Sequence, residues 1–114
     1  DFVEAQWLIL QQNKPSDFVI ATGKQISVRE FCQKVCDYLA IPIYWTGEGL
    51  HEKAINKKTN ETIISVDREY FRPLEVHTLL GDSSKAKQLL GWEAKTTIDQ
   101  LVQIMCDSDM RKEN

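Results

Sequence analysis

The chain has 114 residues, 42% of them hydrophobic and 27% charged, a size and composition that fit one globular domain or one lobe of a larger one. Fourteen basic and seventeen acidic side chains give a formal charge of -3, which argues against a nucleic-acid platform but leaves room for a small anion held by a single arginine. The sequence has no apolar run near the roughly 20 residues that span a bilayer and no secretory signal pattern, so we expect a cytoplasmic protein without a membrane partner.

The first part of the chain predicts a helix, a strand and a second helix. Apolar residues at near-helical spacing predict a helix over residues 1–13, and the apolar run at 18–21 predicts a short buried strand. Ser27 and Glu30 form a capping box that opens a helix to about residue 40. The residues expected on its buried face are Val28, Phe31, Cys32, Val35 and Leu39.

The remainder predicts two more strands and two more helices. Residues 43–45 and 62–66 have the composition of strands, and the polar, lysine-bearing stretch between them at 50–60 predicts a mobile loop or hairpin tip. A short helix is expected at 83–90, capped by Asp82 or Ser83 and ended by Gly91. A second capping box, Thr97 to Gln100, opens a final helix to about residue 109, with a predicted apolar stripe of Ile98, Leu101, Val102 and Met105. The fold class is therefore an α/β lobe with short strands and about four helices.

The three cysteines, Cys32, Cys36 and Cys106, are odd in number and lack metal-ligand spacing. They predict reduced thiols in a cytosolic protein, and a redox role for the helical pair Cys32 and Cys36 finds no other support. His51 lies close to two glutamates, but a few exposed polar residues in a loop are more typical of solvation than of a metal site.

Common catalytic and cofactor motifs are missing from the sequence. Gly47 and Gly49 do not continue into the Gly-x-Gly-x-x-Gly fingerprint, because Glu52 stands where the third glycine would be and no helix signal follows. No tyrosine has a lysine four residues later, so the Tyr-x-x-x-Lys pair of short-chain dehydrogenases is absent.

One stretch combines an arginine and a carboxylate on a stiffened connection. Pro73 disfavours helical geometry at the residue before it, so Arg72 is expected to be extended. Arginine presents a planar fork of donors that suits phosphate oxygens, and the carboxylate of Glu75 can accept from both hydroxyls of a ribose. On spacing alone, an exposed Arg–Glu ion pair that stabilises a turn is the favoured interpretation. The side chains expected to anchor the connection in the core are Phe71, Leu74 and Val76.

Longer motifs strongly resemble the carboxy-terminal part of the GDP-mannose 4,6-dehydratase family, which consists of extended short-chain dehydrogenases/reductases. The resemblance covers nearly the whole chain. Its Gly-Asp-x-x-Lys-Ala and Leu-Gly-Trp elements are widespread among nucleotide-sugar enzymes, whereas Phe-Arg-Pro-x-Glu-Val and Phe-Val-Ile-Ala-Thr-Gly are more specific to the mannose enzymes. The matching segments are Trp7-x-x-Leu10-Gln11, Asp17 to Gly23, Ser27 to Phe31, Tyr70-Phe71-Arg72-Pro73-x-Glu75-Val76, Leu79 to Ala86 and Lys87-x-x-Leu90-Gly91-Trp92.

The resemblance implies a Rossmann-type enzyme whose carboxy-terminal substrate lobe, here residues 1–114, closes over a GDP-sugar. It implies a lyase reaction in GDP-fucose biosynthesis, from GDP-mannose to GDP-4-keto-6-deoxymannose, with NADP and the catalytic groups held by an amino-terminal lobe. It also implies that Arg72 contacts the diphosphate and Glu75 the guanosine ribose, with Tyr70 and Phe71 packed behind the site. It further implies that no catalytic residue falls within this chain.

The glycine-rich turn and catalytic residues that the family carries upstream are not in this sequence. We therefore expect the natural chain to start further upstream, the full-length protein to be a homo-oligomer, and this chain alone to bind GDP-mannose weakly without turnover. Two alternatives stay open: a lobe of a related nucleotide-sugar epimerase or reductase, and a non-catalytic binding module on the same scaffold.

Overall fold

The structure, a computed structural model, describes residues 1–74 and 78–113. Within these ranges it contains four α-helices, a short 3₁₀-helix at Gly49–His51 and one antiparallel sheet of three strands, so the predicted α/β class with short strands is confirmed. No helix in the described ranges has the length and apolar character needed to cross a membrane. The elements are α1 (Phe2–Leu10), α2 (Val28–Tyr38), β1 (Ile43–Thr46), β2 (Lys53–Asn56), β3 (Thr62–Ser65), α3 (Ser84–Leu90) and α4 (Ile98–Lys112).

The chain divides into two compact units. The first comprises Asp1–Ile26 and His77–Leu101, and the second comprises Ser27–Val76 and Val102–Asn114. Each unit has a small hydrophobic cluster of its own.

Trp92 is the centre of the core of the first unit. It is 1% exposed, and Ala5 of α1 and Ala86 of α3 are completely buried beside it. Its indole Nε1 donates a hydrogen bond to the carbonyl of Asp1 at 2.9 Å, so the one polar atom of the ring is satisfied. The tilted ring of Phe2 lies with its centroid 6.2 Å from that of Trp92. Small alanines on the facing helices leave room for this large ring.

The strand predicted at residues 18–21 is wrong. Phe18 and Ile20 pack against the core of the first unit, whereas Val19 is 53% exposed, so the segment has one buried face without being part of a sheet. A strand needs ladder hydrogen bonds to a neighbour, and the three strands in the described residues all lie in the second unit. The segment instead passes close to Gly81, where an added Cβ would lie 2.6 Å from the Cβ of Ala21.

The second unit packs α2 against the three-stranded sheet. β1 pairs with β2 and β2 with β3, and the register places Trp45 opposite Ala54 and Ala54 opposite Ile64. Cys36 of α2 is buried in one cluster with Ile43 and Ala54. The strands predicted at 43–45 and 62–66 are confirmed as β1 and β3.

The loop predicted at residues 50–60 is only partly correct. β2 occupies Lys53–Asn56, and the hairpin tip is confined to the residues after it. There the carboxamide oxygen of Asn56 accepts from the backbone N–H of Lys58 at 2.8 Å, and Asn60 has a φ of 60°. Of the β2 residues only Ala54 is fully buried, so the strand lacks the apolar alternation by which such elements are recognised.

The capping box at Thr97 is confirmed in full, and the one at Ser27 is confirmed in its first half, since the Glu30 carboxylate accepts from the Ser27 hydroxyl at 3.2 Å. Ser27 Oγ accepts from the backbone N–H of Glu30 at 3.0 Å, and Thr97 Oγ1 accepts from that of Gln100 at 3.2 Å. The second hydrogen bond of the Thr97 box is also present, since Gln100 Oε1 accepts from the backbone N–H of Thr97 at 2.9 Å. Gly91, predicted to end the short helix, caps α3 with a φ of 66°. The other boundaries shift slightly, since α1 ends at Leu10 and α4 continues to Lys112.

The predicted buried faces need correction at several positions. Val28 is 81% exposed because it stands at the first position of α2, ahead of the turns that cover the sheet. Along α4 the fully buried residues are Val102 and Cys106, whereas Leu101 and Met105 are 40% and 45% exposed. The four other residues predicted to be buried on α2, all of them only half-buried, are Phe31, Cys32, Val35 and Leu39.

All three cysteines are free, as the sequence predicted. Burial raises the pKa of the Cys36 thiol, and the nearby Cys32, Asp37 and Cys106 reinforce the shift. A thiol held in its neutral form is a poor nucleophile, so Cys36 behaves as a small apolar core residue.

Candidate functional site

A hydrogen-bonded turn carries the chain from β3 to Arg72. The carbonyl of Asp67 accepts from the backbone N–H of Tyr70 at 3.2 Å, and its carboxylate Oδ1 accepts from the backbone N–H of Glu69 at 2.9 Å. Together these bonds close residues 67–70 into a turn with an additional side-chain lock. Arg72 therefore lies two residues beyond a defined turn.

Arg72 is exposed in the structure, and Pro73 follows it directly. Its neighbours are exposed as well: Tyr70 is 75%, Phe71 36% and Leu74 95% accessible. The predicted anchoring of the connection in the core by Leu74 is therefore wrong. The packing of Tyr70 and Phe71 behind a ligand site stays a prediction. Neither core cluster includes any of these side chains, so turn and proline geometry, not burial, restrains this segment.

Glu75, the second predicted ligand-binding residue, lies outside the described residues, together with Val76. The pairing of Arg72 with Glu75 and the anchoring role of Val76 therefore stay predictions.

Arg29, at the start of α2, forms an ion pair within the protein. Its guanidinium forms an ion pair with the carboxylate of Glu52 and lies 5.6 Å from the centroid of the Trp45 ring. The indole of Trp45 in turn donates to Gln33 Oε1 at 2.9 Å. A neutralised and stacked guanidinium suits a structural cluster between α2 and the sheet better than anion binding.

The glycine pair Gly47 and Gly49 does not fit a dinucleotide. Both residues have positive φ, at 78° and 57°, and a Cβ at Gly47 would lie 2.1 Å from the carbonyl oxygen of His51. The turn therefore closes on its own backbone. It leads into the 3₁₀-helix and β2, whereas a pyrophosphate is bound at the amino end of an α-helix. These residues supply no cradle for NADP.

Across residues 1–74 and 78–113, no group of three or more His, Cys, Asp or Glu side chains is placed to hold a metal ion. His51 lies in the 3₁₀-helix and is exposed.

Asp67 is the residue of this region that the sequence did not single out. Aspartate is favoured at the first position of a turn because its side chain can accept from the backbone two residues on. The spacing Asp67-x-Glu69-Tyr70 carried that signal, but only the fold shows that the turn stands between the sheet and Arg72.

Comparison with known proteins places these features in one family. A family model described as GDP-mannose 4,6 dehydratase matches residues 1–105. The GDP-mannose 4,6 dehydratase of Dictyostelium discoideum is 48% identical over 110 residues, which are 96% of this chain and 31% of that protein. The human GDP-mannose 4,6 dehydratase is 44% identical over 110 residues, covering 96% of this chain and 30% of the relative.

A bacterial relative shows the same extent of similarity. The GDP-mannose 4,6-dehydratase of Vibrio cholerae is 46% identical over 122 residues, covering 98% of this chain and 33% of its own length. The chain thus spans about a third of the length of the curated relatives it matches. Since the family model covers nearly all of the sequence, the chain belongs to the GDP-mannose 4,6 dehydratase family.

Proposed function

We propose that this chain is the carboxy-terminal, GDP-sugar-binding lobe of a GDP-mannose 4,6-dehydratase. Membership of that family and 44–48% identity to dehydratases of animals and an amoeba support the proposal. The complete enzyme would act as a lyase that converts GDP-mannose to GDP-4-keto-6-deoxymannose. The part of that activity assigned to this chain is binding of the nucleotide, not the chemical step.

Arg72 is proposed to contact the diphosphate of the substrate. Arg72 is exposed at the surface of the second unit. A guanidinium can donate two parallel hydrogen bonds to phosphate oxygens, which fixes the orientation of the phosphate as well as attracting its charge. Exposure of Arg72 just beyond a defined turn is the observation that carries the proposal.

Glu75 is proposed to accept hydrogen bonds from the hydroxyls of the guanosine ribose. A carboxylate has two acceptor oxygens and can serve a vicinal diol. Two residues, Pro73 and Leu74, separate it from Arg72 in the sequence.

The dinucleotide and the reacting groups are proposed to lie in the remainder of the enzyme. NADP would bind there, because the glycine turn of this chain does not fit it. In that part of the enzyme it would accept a hydride from the sugar and later return it. We further propose that the full-length enzyme is a cytoplasmic homo-oligomer, in which the free thiols of Cys32, Cys36 and Cys106 stay reduced.

Titration of the isotopically labelled chain with GDP, followed by amide chemical shifts, tests the binding assignment. We expect fast-exchange shifts around residues 70–74, with GDP binding more tightly than UDP or dTDP. Arg72→Ala should remove charge-assisted contacts worth about 2–3 kcal/mol and so abolish measurable binding. Arg68→Ala, which removes the same charge from the neighbouring turn, is the matched control and should bind almost normally.

Two results would contradict the proposal: binding of GDP that is equally strong in Arg72→Ala, or no GDP binding by the unmodified chain up to millimolar concentrations. Incubation of the chain with GDP-mannose and NADP should give no 4-keto-6-deoxy product. Turnover by this chain alone would show that catalytic groups are present where we place none.

A further inference from the structure

We propose that Asp67 is a positioning residue for Arg72, and that its carboxylate raises the affinity of this lobe for nucleoside diphosphates by holding the turn between β3 and the arginine. The inference rests on the proposed binding role of Arg72. It adds a determinant that makes no contact with the ligand.

The turn is attached to a fixed part of the fold. Ile64 of β3 packs against the core cluster of the second unit, and Val66 is half-buried just after the strand. Asp67 follows immediately. Its Oδ1 accepts from the N–H of Glu69 at 2.9 Å, while its carbonyl accepts from the N–H of Tyr70 at 3.2 Å. The turn thus follows directly on the half-buried Val66, and Asp67 accepts both of the hydrogen bonds that close it.

Little free backbone remains between this turn and the arginine. Phe71 is the one residue between Tyr70 and Arg72, and Pro73 restricts the backbone of Arg72 to extended geometry. With the turn closed, the direction in which Arg72 leaves the sheet is nearly set before a ligand arrives. If the turn opened, residues 67–70 would have to be ordered on binding, at a cost in conformational entropy that lowers affinity.

The charge of Asp67 does not explain its presence near a diphosphate site. The negative carboxylate of Asp67 repels the negative diphosphate of an approaching ligand. A purely electrostatic role would therefore favour a neutral or basic residue at this position. The hydrogen bond to the N–H of Glu69 needs an acceptor oxygen, and asparagine supplies the same oxygen without the charge. The two contributions can therefore be separated by substitution.

The experiment compares GDP binding by the unmodified chain, Asp67→Ala and Asp67→Asn in the amide-shift titration. Asp67→Ala should weaken GDP binding about fivefold, the size of effect expected when one side-chain hydrogen bond is lost. Asp67→Asn should bind as tightly as the unmodified chain or slightly more tightly. Hydrogen exchange at the N–H groups of Glu69 and Tyr70 should accelerate in Asp67→Ala and stay slow in Asp67→Asn.

Unchanged binding by Asp67→Ala, or an equal loss in both variants, would overturn the positioning role. The Arg72→Ala titration separates this result from failure of the proposed function. If Arg72→Ala abolishes binding while Asp67→Ala is normal, the positioning role alone is refuted. If Arg72→Ala binds as well as the unmodified chain, the binding assignment fails and the role of Asp67 fails with it.

Discussion

The hydroxyl of Tyr38, at the end of α2, donates a hydrogen bond to the carboxylate of Asp107 on α4 at 2.6 Å. The two residues are 69 positions apart in sequence, so the bond ties the carboxy-terminal half of α4 to α2 within the second unit. The hydrogen bond raises the pKa of Tyr38 above its ordinary value of 10.0, because ionisation of the phenol would break it and set two negative groups side by side.

Tyr38→Phe tests the linkage between this bond and stability. A pKa that is raised in the folded state contributes stability that is present below the unfolded value and is lost as pH rises through the folded value. We therefore expect the variant to be less stable at neutral pH and the difference to shrink at strongly alkaline pH. In absorbance titration of the tyrosines, the signal that titrates above pH 10.0 should decrease in Tyr38→Phe more than in the control Tyr70→Phe. If the signal above pH 10.0 is unchanged in Tyr38→Phe, the raised pKa does not belong to Tyr38.

Trp92→Phe tests the core of the first unit. The smaller ring leaves space next to Ala5 and Ala86 and leaves the carbonyl of Asp1 without the indole donor. We expect a loss of about 1–3 kcal/mol in the free energy of unfolding, measured by urea denaturation. Trp7→Phe makes the same chemical change at a residue that is 60% exposed, and should cost less than about 0.5 kcal/mol. Equal effects of the two substitutions would contradict the central place given to Trp92.

Asp82 should make stability depend on acid pH. The hydroxyl of Ser84 and, secondarily, its backbone N–H donate to the carboxylate, and these bonds lower the pKa of Asp82 below its ordinary 3.8. A lowered pKa contributes stability that is present above the unfolded value and is lost as pH falls through the folded one. Asp82→Asn should therefore flatten the decline in stability below about pH 4.

Thermal unfolding across the acid range measures this effect. Ser84→Ala, which removes the hydroxyl donor, should flatten the profile partially, and Asp17→Asn is a control at an exposed carboxylate whose side chain makes no comparable bond to a helix start. An unaltered acid profile in Asp82→Asn would show that Asp82 titrates alike in the folded and unfolded chain.

Local signals in the sequence located the helix boundaries well. The helix-capping residues Ser27 and Thr97 and the left-handed glycine at Gly91 were all predictable, because each depends on contacts within three or four residues along the chain. β1 and β3 were also recognisable, since their β-branched and aromatic composition is a property of the segment itself.

Predictions that required knowledge of a distant partner failed more often. The apolar run at residues 18–21 is not a strand because, among the residues that the structure describes, no strand pairs with it. β2 was not recognised because its pairing with β1 and β3 outweighs its polar composition. Likewise, spacing suggested anchoring by Leu74, but anchoring depends on what packs against a side chain, and Leu74 is 95% exposed.

The same distinction between local signals and distant contacts applies to the candidate site. The sequence by itself determined the membership of the family, the arginine before a proline at position 72 and the carboxylate at position 75, since motifs are properties of the residue order. Only the tertiary structure decided that Arg29 forms an ion pair with Glu52, 23 residues away, and that Arg72 is exposed two residues beyond the turn that Asp67 closes. Ion pairing and exposure depend on which side chains lie close together in space, and the folding of the chain determines this.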